Sequence, residues 1–203
     1  MNHSKSRKIV LINHADTSVT DGSFLGLEDL PVSDKGKKDL EQIQPAIKIN
    51  MEDYVIYTSE LKRAIQSADI LFPNAEKTED VRLNEIDFGD WSGKKMTDIM
   101  REFPEEIKSW MSDYTSFSFP GGESISGFFN RLQECSETIL KKTDKNLILV
   151  CHGGVIRHLI CHYLGLTYNH HMAFTVDRPS INIIDHFGKN GVLRAFNLKE
   201  LSD

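Results

Sequence analysis

Two histidines follow aliphatic runs, one near each end of the chain, and their type and position suit covalent chemistry. His14 follows residues 8–13 (Lys-Ile-Val-Leu-Ile-Asn), and His152 follows residues 147–151 (Leu-Ile-Leu-Val-Cys). Short aliphatic runs are typical of buried strands in a parallel sheet, and open α/β sheets bind ligands beyond the carboxyl ends of their strands. A neutral imidazole at that edge can act as a nucleophile. A single histidine could equally be a packed residue with a backbone hydrogen bond, but the repeated pattern favours a functional pair.

An arginine between the two histidines occupies a position that suits an anion. Residues 54–58 (Tyr-Val-Ile-Tyr-Thr) predict a strand, and the helical pattern that follows places Arg63 in the first turn of a helix. Free backbone N–H groups and a guanidinium at the start of a helix can both face a phosphate. The alternative is a solvated surface arginine.

Four motifs resemble those of the histidine phosphatase superfamily, whose members include the phosphoglycerate mutases. They are residues 13–17 (Asn-His-Ala-Asp-Thr), 59–68, 82–93 and 152–153 (His-Gly). The segment 82–93 is the most specific of the four, because it matches the family pattern Arg-Leu-x-Glu-x-x-x-Gly-x-Trp-x-Gly at every fixed position. The Gly-Gly-Glu-Ser string at 121–124 resembles the phosphatase branch, which includes α-ribazole phosphatase, more than the mutase branch.

The resemblance implies catalytic roles for four residues. His14 would attack the phosphorus atom and form a phosphohistidine, which water would later hydrolyse. Glu85 would protonate the leaving alkoxide and then deprotonate the attacking water, since one group can serve both steps by reversibility. His152 and Arg63 would neutralise the phosphoryl oxygens. This arrangement requires neither a metal ion nor another cofactor.

The resemblance also implies a phosphate site, composed of Arg63, Asn13, Thr20 and Gly153. Two of its positions depart from the family pattern, because Asn13 stands where the family has arginine and Thr20 where it has asparagine. Asparagine carries no charge and lacks the fork of arginine, and an arginine can contribute roughly 10³- to 10⁵-fold to a phosphoryl transfer. Its loss would also ease protonation of His14. Lys62 and Arg157 are candidates for a replacement cation.

These residues support three hypotheses. The first is a phosphomonoesterase that acts on a small phosphorylated metabolite, at a rate that the change at Asn13 lowers. The second is a catalytically impaired pseudoenzyme that binds a phosphorylated ligand or protein. Glu85 argues against the second, because binding alone gives no use for an acid/base carboxylate. The third is a phosphoglycerate mutase, and the Gly-Gly-Glu-Ser string argues against it.

Composition restricts the class of protein further. The chain has 203 residues, 39% hydrophobic and 27% charged, which is typical of a globular domain, and its net charge of −6 argues against nucleic acid as the main partner. The apolar run at 9–12 is too short for a secretory signal or a membrane span, and three cysteines without a CxxC spacing favour a reducing compartment. His158 and His162 lie four residues apart but lack the carboxylate companion of a zinc site, so packing or surface roles are favoured. We expect a cytoplasmic protein without a membrane partner, and the sequence leaves a homodimer open.

Alternating strand and helix patterns predict the architecture that positions these residues. The pattern indicates a three-layer α/β/α sandwich with a mostly parallel central sheet. Residues 180–185 and 192–196, separated by an Asn-Gly turn, predict an antiparallel hairpin at the edge. We expect a single domain over residues 1–203, in which residues 94–119 form a helical insertion that covers the site as a lid.

Overall fold

Strands and helices alternate along the chain in the computed structural model, which describes residues 6–19 and 22–203. The strands are β1 (Arg7–Asn13), β2 (Ile47–Lys48), β3 (Tyr54–Thr58), β4 (Lys77–Glu79), β5 (Asn146–Cys151), β6 (Ser180–His186), β7 (Gly191–Leu198) and β8 (Leu201–Ser202). The helices are α1 (Asp34–Ile43), α2 (Lys62–Leu71), α3 (Met96–Glu102), α4 (Pro104–Ser112), α5 (Ile125–Lys142) and α6 (Gly153–Leu164). The aliphatic runs before the two histidines form β1 and β5, as predicted.

The main sheet has the strand order β4-β3-β5-β1-β6-β7. β4, β3, β5 and β1 run parallel to one another. β6 pairs antiparallel with β1 and with β7, and β6 and β7 form one edge of the sheet. This confirms the predicted sheet. β1 lies between β5 and β6, so that Asn13 is opposite Cys151 on one side and Ser180 on the other. The carboxyl ends of β3, β5 and β1 therefore meet at the same edge of the sheet.

Helices cover both faces of this sheet, because successive side chains of a strand point to opposite sides. In β1, Ile9 and Leu11 belong to a core cluster that includes side chains of α5 and α6. Val10 and Ile12 belong to a second cluster that includes side chains of α1 and α2. All four are fully or almost fully buried. The chain thus forms the predicted three-layer α/β/α sandwich.

The turn from β5 into α6 places His152 at the edge of the sheet. His152 is the N-cap of α6 and has an extended backbone (φ −128°, ψ 161°), so the strand passes into the helix within one residue. α6 ends at Gly165, whose φ of 68° lies in the left-handed region that glycine adopts without steric cost. The first residues of α6 therefore stand directly beside the histidine.

The predicted helical insertion at 94–119 forms α3 and α4, which meet at Pro104. Pro104 is the first residue of α4, where its missing N–H removes no hydrogen bond from the helix. Trp91 is fully buried, and the rings of Trp110 and Phe119 lie 5.9 Å and 5.2 Å from its ring. Such edge-to-face contacts strengthen packing beyond burial alone. They attach the insertion to the most specific of the sequence motifs.

Candidate active site

His14 and His152 lie side by side at the ends of the neighbouring strands β1 and β5. Their ring centroids are 5.1 Å apart, with an angle of 62° between the ring planes. The two residues are 4% and 1% exposed. The backbone N–H of His14 donates to the carbonyl of Cys151 at 3.1 Å, which extends the strand pairing to the first histidine. The structure therefore brings together the two histidines that the sequence singled out.

The imidazole of His14 has one nitrogen fixed and one open for reaction. Nδ1 lies 2.6 Å from the carbonyl oxygen of Ala15. A carbonyl oxygen can only accept, so Nδ1 carries the hydrogen and Nε2 carries a lone pair. Burial lowers the pKa of His14 well below its usual value, and the charges of Arg63 and Arg178 lower it further. The ring is therefore neutral at neutral pH.

His152 is oriented through both of its ring nitrogens. Nε of Arg63 donates to Nδ1 at 3.2 Å, so the hydrogen of the neutral ring is on Nε2. Nε2 lies 2.8 Å from Oγ of Ser59, which in turn donates to Oδ1 of Asn84 at 2.7 Å. Burial lowers the pKa of His152, as do Arg63 and His14. An entering phosphoryl oxygen would compete with Ser59 for the hydrogen on Nε2.

The guanidinium of Arg63 is fully buried beside the histidine pair. In addition to its bond to His152, Nη1 donates to the carbonyl of Glu28 at 2.5 Å and Nη2 to the carbonyl of Gly26 at 2.7 Å. Burial lowers the pKa of Arg63 to about 10, which leaves it charged at neutral pH. Three of its five N–H groups are taken by protein acceptors. Arg63 therefore supplies positive charge and orients His152.

Glu85 reaches the site from a loop and is held by two backbone N–H groups. Its Oε1 accepts from Ile86 and its Oε2 from Gly154 at the start of α6, both at 3.0 Å. A Cβ at position 154 would lie 2.3 Å from Oε1, so only glycine leaves room for this carboxylate. Arg131 fixes the loop, because it donates to the carbonyl of Glu85 at 3.0 Å and pairs with Glu123 at 2.7 Å. No sequence motif indicates this role for Arg131.

Asn13 adjoins His14 and ties the segment before β6 to the site. Its Nδ2 donates to the carbonyl of Asp177 at 2.8 Å. Within residues 6–19 and 22–203, its buried Oδ1 has no hydrogen-bond partner. A Cβ at Gly153 would lie 3.7 Å from Nδ2, so the amide also borders the start of α6. Thr20, the other residue predicted to depart from the family at the phosphate site, lies outside the described residues.

Arg178 is a charged residue of this region that the sequence did not reveal. It is exposed and lies two residues before Ser180, which pairs with Asn13 across β1 and β6. Burial is the main cause of the lowered pKa of the two histidines and of the buried arginine, and the charge of Arg178 adds to it in each case. Arg178 is therefore close enough to act on all three groups. No motif surrounds it, and only the long-range pairing of β1 with β6 brings it here.

The two replacement cations suggested by the sequence lie elsewhere. Lys62 forms an ion pair with Asp29 at 3.0 Å, and both side chains are about half exposed. Arg157 lines a pocket of about 250 Å³ next to Glu85, whose other walls include Trp110 and Tyr114 of the helical insertion. Ile86 and Gly154, whose N–H groups hold the Glu85 carboxylate, also line this pocket, so it adjoins Glu85.

The described residues contain no obvious metal site. Across 6–19 and 22–203, no group of three or more His, Cys, Asp and Glu side chains is arranged to hold a metal ion. His158 is buried, its Nδ1 lies 2.8 Å from the carbonyl of Gly154, and its ring contacts that of Phe128, so it has a packing role. Over the same ranges, every helix is too short or too polar to cross a bilayer.

The paired histidines at the ends of neighbouring strands fit the arrangement that the resemblance to histidine phosphatases implies. The sequence model described as "Histidine phosphatase superfamily (branch 1)" matches residues 9–199. The chain therefore belongs to the histidine phosphatase superfamily, and the resemblance stated from the motifs is confirmed.

Individual relatives agree with this assignment over almost the whole chain. Phosphoserine phosphatase 1 of Hydrogenobacter thermophilus is 29% identical over 197 residues, which cover 94% of this chain and 92% of the relative. Adenosylcobalamin/alpha-ribazole phosphatase of Escherichia coli is 26% identical over 198 residues, covering 96% and 97%. The crystal structure of a putative alpha-ribazole-5'-P phosphatase from Escherichia coli has a TM-score of 0.87 at 24% identity, covering 98% of this chain and 100% of that chain. The structural likeness shows a shared fold, and the named relatives are phosphatases.

Proposed function

We propose that this phosphatase hydrolyses the phosphate monoester of a small metabolite through a phosphohistidine on His14. The observation that carries the proposal is the state of this imidazole, in which Nδ1 is held by Ala15 and Nε2 is unprotonated beside His152. A neutral ring with one nitrogen fixed and the other open is the form in which histidine attacks phosphorus. Relatives that are named phosphatases support the same reaction class.

The first chemical step transfers the phosphoryl group to His14. Nε2 forms a bond to phosphorus while the bond from phosphorus to the ester oxygen breaks. Glu85, in its acid form, gives its proton to the departing alkoxide. In the second step Glu85 takes a proton from water, the water oxygen bonds to phosphorus, and the bond to Nε2 breaks. Inorganic phosphate leaves, and His14 is again neutral.

The positive groups around the pair stabilise the phosphoryl oxygens. Arg63 and Arg178 both act electrostatically on the two histidines, and the N–H groups of His152 and of Gly153 at the start of α6 are donors for the oxygens. Arg178 replaces the charge that Asn13 lacks, because its exposed side chain belongs to the segment that the Asn13 amide holds. Turnover therefore does not require an arginine at position 13.

A catalytically impaired pseudoenzyme that binds a phosphorylated ligand is the second candidate. Two observations favour it. The amide of Asn13 already donates to the carbonyl of Asp177, and three N–H groups of Arg63 already donate to protein acceptors. Against it stands Glu85, whose carboxylate is held at the site by two backbone N–H groups in a space that only Gly154 allows. A binding protein has no use for a carboxylate beside an anion, so we favour the enzyme.

Domain organisation and cellular location are part of the same proposal. The chain is one domain. Residues 94–119 form a lid over the side of the site where the alcohol leaves, since Met96, Trp110 and Tyr114 line the adjoining pocket. The reaction as written needs no metal ion. Three buried, unpaired cysteines favour the reducing cytoplasm.

Phosphate release from a panel of monoesters by the parent protein, His14→Ala and Arg194→Ala tests the proposal. Arg194 is a surface residue that pairs with Asp185 at 2.5 Å, so it serves as the control. We expect the parent and Arg194→Ala to release phosphate at equal rates and His14→Ala to fall to background. Turnover that survives in His14→Ala would overturn the mechanism. A parent that binds phosphate esters without turnover would favour the pseudoenzyme.

A further inference from the structure

We infer that the aromatic pocket beside Glu85 receives the alcohol part of the substrate, and that Arg157 selects phosphate esters whose alcohol carries a carboxylate. This inference rests on the proposed hydrolysis at His14 and specifies its substrate class. That class is a phosphate monoester of a ring-sized, largely apolar alcohol that bears one negative group.

The pocket begins where the leaving oxygen would be protonated. Ile86 and Gly154 line it, and the backbone N–H groups of the same two residues hold the carboxylate of Glu85. In the proposed reaction Glu85 gives its proton to the leaving alkoxide, so the alcohol must extend from Glu85 into this space. Burial raises the pKa of Tyr114 in the pocket wall, and the charges of Arg157 and Glu85 both act on it. Tyr114 is therefore near both charges.

Size and lining determine what kind of alcohol fits. The pocket has a volume of about 250 Å³. Much of its wall is aromatic, supplied by Phe24, Phe88, Trp110, Phe119 and Phe128. Small-molecule sites are mostly apolar with a few placed polar groups, and aromatic walls favour ring contacts. An alcohol of only a few atoms would leave most of these walls without a contact, whereas a ring-sized group would fill them.

Three polar atoms of the pocket wall lack a partner. Among residues 6–19 and 22–203, the side-chain nitrogens Nε1 of Trp110, Nε of Arg157 and Nε2 of His158 are buried and make no hydrogen bond. Burial lowers the pKa of His158 to about 3, and its Nδ1 donates to the carbonyl of Gly154, so the free Nε2 is an acceptor. Unpaired buried polar atoms cost free energy that a ligand can recover. Three residues that line the pocket therefore each carry a buried polar atom that lacks a partner in the described part of the chain.

The unpaired guanidinium of Arg157 determines which charge the alcohol part of the substrate should carry. Arg157 is half-buried among aromatic side chains, and no aspartate or glutamate of the described residues lines the pocket. A cation in apolar surroundings is stabilised by an anion that bonds to it directly, and the fork of arginine matches a carboxylate. Because the pocket supplies no such anion, the substrate must bring it.

Kinetics with two aryl phosphates that differ by one carboxylate test the inference. Phenyl phosphate and 4-carboxyphenyl phosphate would be compared in the parent, Arg157→Gln, Arg157→Lys and the surface control Arg194→Gln. In the parent we expect 4-carboxyphenyl phosphate to have a kcat/KM about 10- to 100-fold higher, through KM, as a charge-assisted hydrogen bond implies. Arg157→Gln should lose most of this preference, measured as the ratio of the two kcat/KM values. Arg157→Lys should keep part of it, and Arg194→Gln all of it.

The outcomes separate this inference from the proposed function. The ratio of the two kcat/KM values is compared between variants, which cancels the difference in leaving-group ability between the two substrates. Turnover of both substrates with the same ratio in the parent and Arg157→Gln would overturn the inference and leave hydrolysis at His14 standing. If neither substrate is hydrolysed, the proposed function fails, and calorimetric binding of the same two esters still decides the inference. In that case, tighter binding of the carboxylated ester that Arg157→Gln abolishes supports it, and equal binding overturns it.

Discussion

Replacing Arg178 by alanine should slow phosphate ester hydrolysis, and a second substitution, Asn13→Arg, should restore much of the loss. Arg178 lies in the segment that the Asn13 amide holds through the carbonyl of Asp177, and its charge acts on both histidines. Asn13 is the last residue of β1 and directly precedes His14. The family pattern has arginine at position 13. If Arg178 supplies the charge that position 13 lacks, the two positions are interchangeable sources of one cation.

The expected loss follows from the electrostatics of an exposed cation. Two unit charges about 5 Å apart attract by about 3 kcal/mol at an effective dielectric constant of about 20. Solvent and salt screen an exposed side chain, so about half of this energy remains. Because about 1.4 kcal/mol corresponds to a tenfold change in rate, kcat/KM of Arg178→Ala should fall about 10- to 20-fold. This is less than the roughly 10³- to 10⁵-fold contribution of a fully engaged arginine.

The assay compares kcat/KM for one aryl phosphate in the parent, both single variants, the double variant and the control Arg194→Ala. Asn13→Arg should change the parent less than about threefold but raise Arg178→Ala at least about tenfold, because each cation matters only when the other is absent. Thermal unfolding of each variant establishes that it is folded. If Arg178→Ala matches the control, or if Asn13→Arg raises the parent about 100-fold or more, Arg178 does not replace the missing charge.

Three further predictions concern proton transfer and protonation. Glu85→Gln should lower kcat/KM for alkyl phosphates about 10²- to 10⁴-fold but affect 4-nitrophenyl phosphate much less, because nitrophenolate leaves without a proton; equal losses would exclude Glu85 as the acid. Because burial, Arg63 and Arg178 lower the pKa of His14, its ¹⁵N resonances should show a neutral ring below pH 6.5, and Arg178→Ala should raise this pKa; titration of the parent at an ordinary histidine pKa would contradict the site electrostatics. Burial lowers the pKa of His158 to about 3 and that of His171 to about 4, so the unfolded chain binds protons that the folded protein does not. The free energy of unfolding in urea should therefore be level above about pH 6.5. As the pH is lowered from about 6.5, it should decrease by up to about 1.4 kcal/mol per pH unit for each such histidine. A stability that stays level down to about pH 5 would show that these rings accept protons in the folded protein.

The sheet edge and the histidine pair could be predicted from the sequence, because local patterns determine them. The aliphatic runs before His14 and His152 each end at a polar residue, and parallel strands place their carboxyl ends together. The insertion could be predicted as two helices because Pro104 interrupts a helical periodicity. The short strands β2, β4 and β8 could not, because two or three residues carry too little pattern.

The rest of the site depends on contacts between distant parts of the chain. The pairing of β6 with β1 and the hydrogen bond from Asn13 to Asp177 bring Arg178 near the histidines, and nothing near it in the sequence indicates either contact. Arg131 holds the loop of Glu85 across 46 residues, through a main-chain carbonyl that no sequence motif can reveal. The carbonyls of Gly26 and Glu28 take N–H groups of Arg63, and their position depends on how a turn-rich loop folds. Local propensity therefore predicts the frame, and tertiary contacts determine the charges inside it.

Chemical quenching of the enzyme during turnover tests the central claim most directly. The parent and 4-nitrophenyl phosphate would be mixed for a short time, denatured in alkali, and digested for mass spectrometry, because phosphohistidine survives alkali and is lost in acid. We predict an acid-labile phosphoryl group on His14 at burst amplitude, absent from His14→Ala and prolonged in Glu85→Gln, which cannot activate water. A phosphoryl group on His152, or hydrolysis with no phosphoryl enzyme at any time, would contradict the account.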